Sequence, residues 1–183
     1  MNKLTPITFF LLVLTLNSVQ AQVDDVSGNY SVGTSNTQIE FSARHLRIFQ
    51  VEGTFKEFSG DIKLSDGVLV SGSLEIMVSS ITTGNQSRDK SLKSEDFLHS
   101  KGFPSIYLHF TSNSNARVVL VSTKIKEVEQ NLELNYEIKP DMKLRVSCSI
   151  SRNDFQLDFG TMDDLVSDEI KVTAVVDLKR KKP

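Results

Sequence analysis

From Tyr30 onward, apolar and polar residues alternate with a period of two, the pattern of strands buried on one face. Ile39, Phe41, Ala43 and His45 share one face of such a run, and Glu40, Ser42 and Arg44 share the other. Leu74, Ile76 and Val78 stand against Ser73, Glu75 and Met77, and Ile106, Leu108 and Phe110 against Tyr107, His109 and Thr111. Further on, Leu132, Leu134, Tyr136 and Ile138 oppose Glu133, Asn135 and Glu137. Met142, Leu144, Val146, Cys148 and Ile150 oppose Lys143, Arg145, Ser147 and Ser149. The last run sets Ile170, Val172, Ala174, Val176 and Leu178 against Lys171, Thr173, Asp177 and Lys179, with Val175 as its exception. Shorter runs at Val51 to Phe58, Asp61 to Leu64 and Arg117 to Ser122 fit further strands.

Turn residues separate these runs at Ser59-Gly60-Asp61, Ser65-Asp66-Gly67, Asn113-Ser114-Asn115 and Lys139-Pro140-Asp141. Many short segments with one apolar and one polar face predict an all-β, antiparallel fold that closes into a barrel or folds into a sandwich. Gln86 to Ser100 breaks the pattern, with few β-branched residues and many helix formers. Asn85 or Ser87 can cap a short helix there, Gly102-Phe103-Pro104 ends it, and it is expected to lie across one end of the sheet. Phe97 and Phe103, the large apolar residues of this polar stretch, are expected to anchor it.

The first 21 residues change the picture of location rather than of fold. Lys3 precedes an apolar run from Ile7 to Leu16, and Val19-Gln20-Ala21 places small residues before a cut. This is a secretory signal peptide with cleavage expected after Ala21, which makes the mature chain a single domain, 22–183, that is periplasmic or secreted. The run is too short for a stable membrane span, and no later run approaches that length, so the mature protein is not expected to be an integral membrane protein. The formal charge of the whole chain is −2, and loss of Lys3 makes it one unit more negative. Without a clustered basic face, nucleic acid is not an expected partner. Cys148 is the single cysteine, so no internal disulfide staples the core.

The chemistry-bearing residues do not assemble into a catalytic set. His45 is the histidine of the inward face, and its pairing with Cys148 lacks a third, orienting group. Cys148 reads as a small buried apolar residue. No two histidines have metal-ligand spacing, and Asp163-Asp164 with Asp168-Glu169 lacks the glycine and spacing of an EF-hand loop. The chain therefore reads as non-enzymatic, without metal or cofactor. Interest shifts to the interior, where Gly53, Gly72 and Ala43 sit beside Phe41, Phe55 and Phe110. Small residues opposite large ones can leave a channel or make a tight core, and a barrel of about eight strands admits either.

Several ordered blocks resemble the YceI-like family. They are Tyr30-Ser31-Val32 with Ile39 to Leu46; Val51-Glu52-Gly53-Thr54-Phe55 with Phe58-Ser59-Gly60; and Ser80 to Asn85 with Arg88-Asp89, Leu92, Ser94, Asp96-Phe97-Leu98 and Phe103 to Ile106. A late block, Ile150 to Leu157, contains the Arg-x-Asp-Phe signature at Arg152-Asn153-Asp154-Phe155, and Asp168 to Val172 matches the last strand. Lys126-Glu127 departs from a His-Gly pair common in the family. The resemblance implies a lipocalin-like antiparallel β-barrel, exported to the periplasm, that carries a polyisoprenoid or fatty-acid-like lipid and performs no catalysis. The expected pocket lining is Ile39, Phe41, Ala43, His45, Phe55, Leu74, Ile76, Leu108, Phe110, Leu134, Val146 and Val172, with Asn85 and Arg88 at the rim. An apolar small molecule is the expected partner, and a homodimer is left open. The competing reading is an envelope interaction module with a filled barrel and no ligand.

Overall fold

A computed structural model describes residues 26–46, 48–112, 117–160 and 165–179. The signal peptide, the Asn113-Ser114-Asn115 turn and the Asp163-Asp164 pair lie outside the described residues. Eleven strands form one antiparallel sheet: β1 (Gly28–Gly33), β2 (Thr37–His45), β3 (Phe49–Phe55), β4 (Phe58–Ser65), β5 (Val68–Met77), β6 (Ile81–Thr82), β7 (Ser105–Thr111), β8 (Val118–Ile125), β9 (Val128–Lys139), β10 (Lys143–Ser151) and β11 (Val166–Asp177). Among the described residues, one α-helix, α1 (Gln86–Lys93), follows β6.

The strand order, β1-β4-β5-β7-β8-β9-β10-β11-β2-β3-β6, runs through neighbouring hairpins and brings β11 beside β2. The sheet curls around an apolar interior as an open barrel, with β1 and β6 at its two ends. The count exceeds the expected eight or so because β1 and β6 carry too few alternating positions to announce themselves. β1 turns only Tyr30 and Val32 inward, and β6 has two residues.

Hairpin register follows turn chemistry. Asp66-Gly67 joins β4 to β5 with Ser65 paired to Val68, and both turn residues have positive φ, at 49° and 72°. That is the demand a two-residue turn between twisted strands makes, and Asp-Gly meets it at low cost. Lys139 pairs with Lys143 across three residues ending in Met142 at φ 63°. Met142 thus lies in the turn rather than in β10, where the alternation alone had placed it.

The inward layer is the one the alternation marks. Ile39, Ile76 and Val176 are buried, while Phe41, Leu74, Leu108, Phe110, Leu134, Val146 and Val172 are half-buried and pack on the same cluster. Cross-strand partners keep the layer in register: Leu74 faces Leu108, Ile76 faces Ile106 and Cys148 faces Val172. A slip of one residue would turn each of these sets to solvent.

The end of the barrel away from α1 is closed by packing and hydrogen bonds. Leu64, Leu144 and Leu178 are nearly inaccessible there. The Tyr30 hydroxyl donates to the Val26 carbonyl at 2.9 Å, and the Tyr136 hydroxyl accepts from the Leu69 amide at 3.2 Å. The Arg117 guanidinium lies 5.4 Å from the Tyr136 ring centroid and donates to the Gly67 carbonyl.

Candidate functional site

Two cavities occupy the interior. The larger, about 480 Å³, lies toward α1, and the smaller, about 130 Å³, lies toward the closed end. They share Ile39, Ile76, Leu108, Cys148 and Val172 as lining, so the two chambers adjoin across this layer. Phe41, Ala43, His45 and Phe55 line the larger chamber; Leu74, Phe110, Leu134 and Val146 line the smaller. All twelve residues expected on the interior therefore border one chamber or both. Asn85 and Arg88 border the larger chamber where it reaches solvent, together with exposed Arg44, Ser87 and Ser91.

The small residues do not all mark open space. A Cβ built on Gly72 would lie 2.6 Å from a Phe110 ring carbon and 3.0 Å from Ile62 Cγ2. One on Gly53 would lie 2.2 Å from the Phe41 ring. These two glycines give room to a neighbouring phenylalanine; of the three, Ala43 borders the larger chamber, and Gly72 borders the smaller one with no room for a Cβ.

Arg44 is exposed, as its outer-face position in β2 predicts, and it borders the larger chamber where that reaches solvent. The pairing of β11 with β2 shifts register between Val166 and Ile170, opposite this end of β2. The extra residues lie in β11, so the irregularity bends that strand at the rim.

The mouth is framed by α1 and the segment after it. Asn85 is the N-cap: its side-chain oxygen accepts from the Arg88 amide at 3.1 Å, a bond worth roughly 1 kcal/mol to a helix. Thr83 links the helix to the sheet. Its hydroxyl donates to Asp89 Oδ1 at 2.6 Å and accepts from Arg88 Nε at 2.8 Å. Asp89 also accepts from the Thr83 amide at 2.7 Å and from the Thr82 hydroxyl at 2.8 Å.

Burial raises the Asp89 carboxyl pKa, but the bonds from Thr83 and Thr82 and the Lys93 charge outweigh it, and the net shift is downward. A lowered folded-state pKa adds stability above the ordinary value of 3.8, and that stability is lost as pH falls through the folded value. We expect Asp89→Asn to lower the melting temperature at neutral pH. The gap from wild type should narrow in acid below about pH 4. A gap independent of pH would remove the charge from this account.

Phe97 is buried and stacks on Phe159 with ring centroids 4.1 Å apart and an interplanar angle of 18°. The Arg152 guanidinium lies 5.8 Å from the other ring's centroid, that of Phe159. Phe97, Phe159 and Leu157 all line the larger chamber, so this stack joins the post-helix segment to the loop after β10 at the cavity wall. Phe103 is only half-buried and meets the His99 ring edge-on at 5.4 Å, which leaves Phe97 as the main anchor. Truncating Phe97 to Ala is expected to cost about 3–5 kcal/mol in urea unfolding.

Sequence reasoning missed Leu92, Leu98, Leu157 and Phe159 as lining residues. None lies in an alternating run; the Leu-Phe-rich punctuation of the two polar loops was the available signal.

Cys148 stands between the chambers, and desolvation pushes its thiol up to about 11. Such a group is protonated at neutral pH and is a poor nucleophile. His45 is half-buried at the rim, and no hydrogen bond joins it to Cys148. Among the described residues, no group of three His, Cys, Asp or Glu is placed to hold a metal ion.

A curled antiparallel sheet around a two-chambered apolar cavity, lidded at one end by a short helix, defines a class of β-barrel with a ligand-sized interior. A family model described as the YceI-like domain matches residues 30–178, and the chain belongs to that family. It is similar to the crystal structure of Burkholderia cenocepacia BcnA, with a TM-score of 0.65 and 17% identity over 76% of this chain and 94% of that one. A polyisoprenoid binding domain from Saccharophagus degradans aligns with a TM-score of 0.62 and 16% identity over 82% of this chain and 97% of that one. A Campylobacter jejuni YceI protein aligns with a TM-score of 0.61 and 25% identity over 76% of this chain and 90% of that one. In sequence, a UPF0312 protein of Staphylococcus aureus (strain USA300) is 34% identical over 95 residues, covering 50% of this chain and 54% of the relative. The chain thus spans about half the length of the curated relatives it matches.

Proposed function

We propose that this protein is an exported, non-enzymatic carrier that holds one long apolar amphiphile, a polyisoprenoid or fatty-acid-like lipid, in the barrel interior. The observation that carries the reading is the pair of contiguous apolar chambers of about 480 and 130 Å³. The larger alone falls in the usual range for small-molecule sites, roughly 300–1,000 Å³. Each methylene transferred from water into such a space contributes about 0.8 kcal/mol, so a few isoprene units offset the cost of ordering the ligand. The chambers offer almost no polar partner along their length, which suits a chain rather than a compact polar metabolite. At the mouth, His45, Asn85 and Arg88 are the groups available to orient a polar end. The polyisoprenoid-binding designation of the Saccharophagus domain, which shares the fold, supports the same ligand class. The leader ending at Ala21 supports export to the periplasm or beyond.

Native mass spectrometry of protein purified without detergent or organic solvent tests the reading. The expected spectrum shows a long-chain lipid adduct on a polypeptide that begins at Gln22. A bare polypeptide mass would overturn the carrier, and an uncleaved N-terminus would overturn export.

A further inference from the structure

The larger chamber opens beside a surface that is apolar without serving the core. The turn from β2 to β3 exposes Leu46, Ile48 and Phe49, the last two at 76% and 58%, and Leu165 is exposed with them. The Leu46 amide donates to the Leu165 carbonyl at 2.6 Å, so the two segments form one patch. Phe49 pairs with His45 across the β2–β3 ladder, at the rim. Leu46 has φ 53°, a conformation that a glycine or asparagine adopts at lower cost. The backbone nevertheless holds that apolar side chain partly in water.

This patch is continuous with the mouth. His45 and Val166, the chain neighbours of Leu46 and Leu165, line the larger chamber. Among the described residues, the charged side chains of that lining are Arg44 and Arg88. Four partly exposed side chains supply well under the roughly 800 Å² per partner that a stable protein interface buries. They are enough for a shallow, reversible contact with the headgroup boundary of a bilayer, where basic neighbours add attraction to acidic lipids.

We propose that this end of the barrel docks on a lipid bilayer bearing acidic headgroups, with Ile48 and Phe49 entering the interface and Arg44 among the headgroups. The proposal rests on the carrier reading and adds the route of loading. A ligand leaving a membrane through water is slowed roughly fourfold for every methylene it exposes. An apolar tip at the mouth removes that exposure, because the ligand slides from the acyl region into the chamber.

The test uses protein with residues 1–21 removed, which leaves every described element intact, and checks folding by circular dichroism and a cooperative melt. Flotation with vesicles of phosphatidylcholine and phosphatidylglycerol is compared with pure phosphatidylcholine for the wild type and for an Ile48→Ser, Phe49→Ser double variant. We expect the wild type to float with the mixed vesicles and more weakly with the neutral ones. The variant, with an unchanged melting temperature, should lose at least about tenfold in vesicle affinity. Should the pair of changes prevent folding, Ile48→Ser alone gives the same comparison. Uptake of a fluorescent long-chain fatty acid added from solution is measured in parallel and should be equal in both proteins. Failure of uptake in both sinks the carrier reading, while vesicle affinity decides docking by itself.

Equal vesicle binding by the variant would overturn the proposal. So would binding that instead depends on the basic tail from Lys179, which follows the opposite end of β11. A wild type that ignores vesicles but dimerises through the patch would overturn it as well, by making the partner a second copy.

Discussion

An Arg152→Ala protein is expected to lose about 3–5 kcal/mol of stability and to bind an apolar probe poorly. Arg152 is 3% exposed, and its guanidinium donates to backbone carbonyls. Nη1 donates to the Leu157 carbonyl at 2.8 Å, Nε to Ser167 at 3.3 Å and Nη2 to Val166 at 3.3 Å. Removing the guanidinium leaves those acceptors without it in a place water reaches poorly, at roughly 1–3 kcal/mol each before relaxation. Phe155, 1% exposed, and Leu157 pack in the same loop and would loosen with it. Because Leu157 and Phe159 form cavity wall, the loss should reach the ligand site. Arg152→Lys keeps a charge but not a planar fork that can serve three carbonyls, so it should recover only a small part. Urea unfolding and probe titration on the three proteins check this. A midpoint unchanged in Arg152→Ala would show that the loop is held by its apolar residues alone.

The second large effect separates open volume from packed volume. Ala43→Phe should abolish probe uptake, by tenfold or more, while changing stability by less than about 1 kcal/mol, because the new ring enters the larger chamber. Gly72→Leu should behave in the opposite way. The space at Gly72 is taken by Phe110 and Ile62, so the added side chain overpacks the wall at a cost of about 1–3 kcal/mol. Bound lipid would stabilise the wild type by mass action, so both variants must be compared with delipidated protein. Thermal unfolding and uptake of a fluorescent long-chain probe give the two readouts. If Ala43→Phe proves as unstable as Gly72→Leu, and the wild type takes up no probe, the interior is solid.

These two sites also show what a sequence can and cannot disclose about such a fold. Ile39, Phe41, Leu108 and Val172 were legible as inward because a strand's side chains must alternate, and one buried face writes itself as a period of two. Ala43 and Gly72 look alike in that code, since both are small and inward. Only the cross-strand register, which places Phe110 against Gly72, tells that a side chain added there would meet a ring. Phe159 and Leu98 were out of reach for another reason. They enter the cavity wall from loops, where position depends on long-range partners such as Phe97 and not on any local period. The cap at Asn85 was legible because its partner, the Arg88 amide, is three residues away.

Cys148 gives this interior a gauge of occupancy. It is the sole cysteine of the chain and touches both chambers, so any thiol-reactive label reports from one known point on the ligand's path. With its proton held to about pH 11 by burial, the sulfur reacts slowly even in an empty barrel. A resident chain lying across Ile39, Leu108 and Val172 would cover it, and labelling would then wait for the chain to leave. The rate at which a small maleimide labels Cys148 would thus fall in proportion to the fraction of barrels that are occupied, and would report ligand occupancy without modifying the ligand.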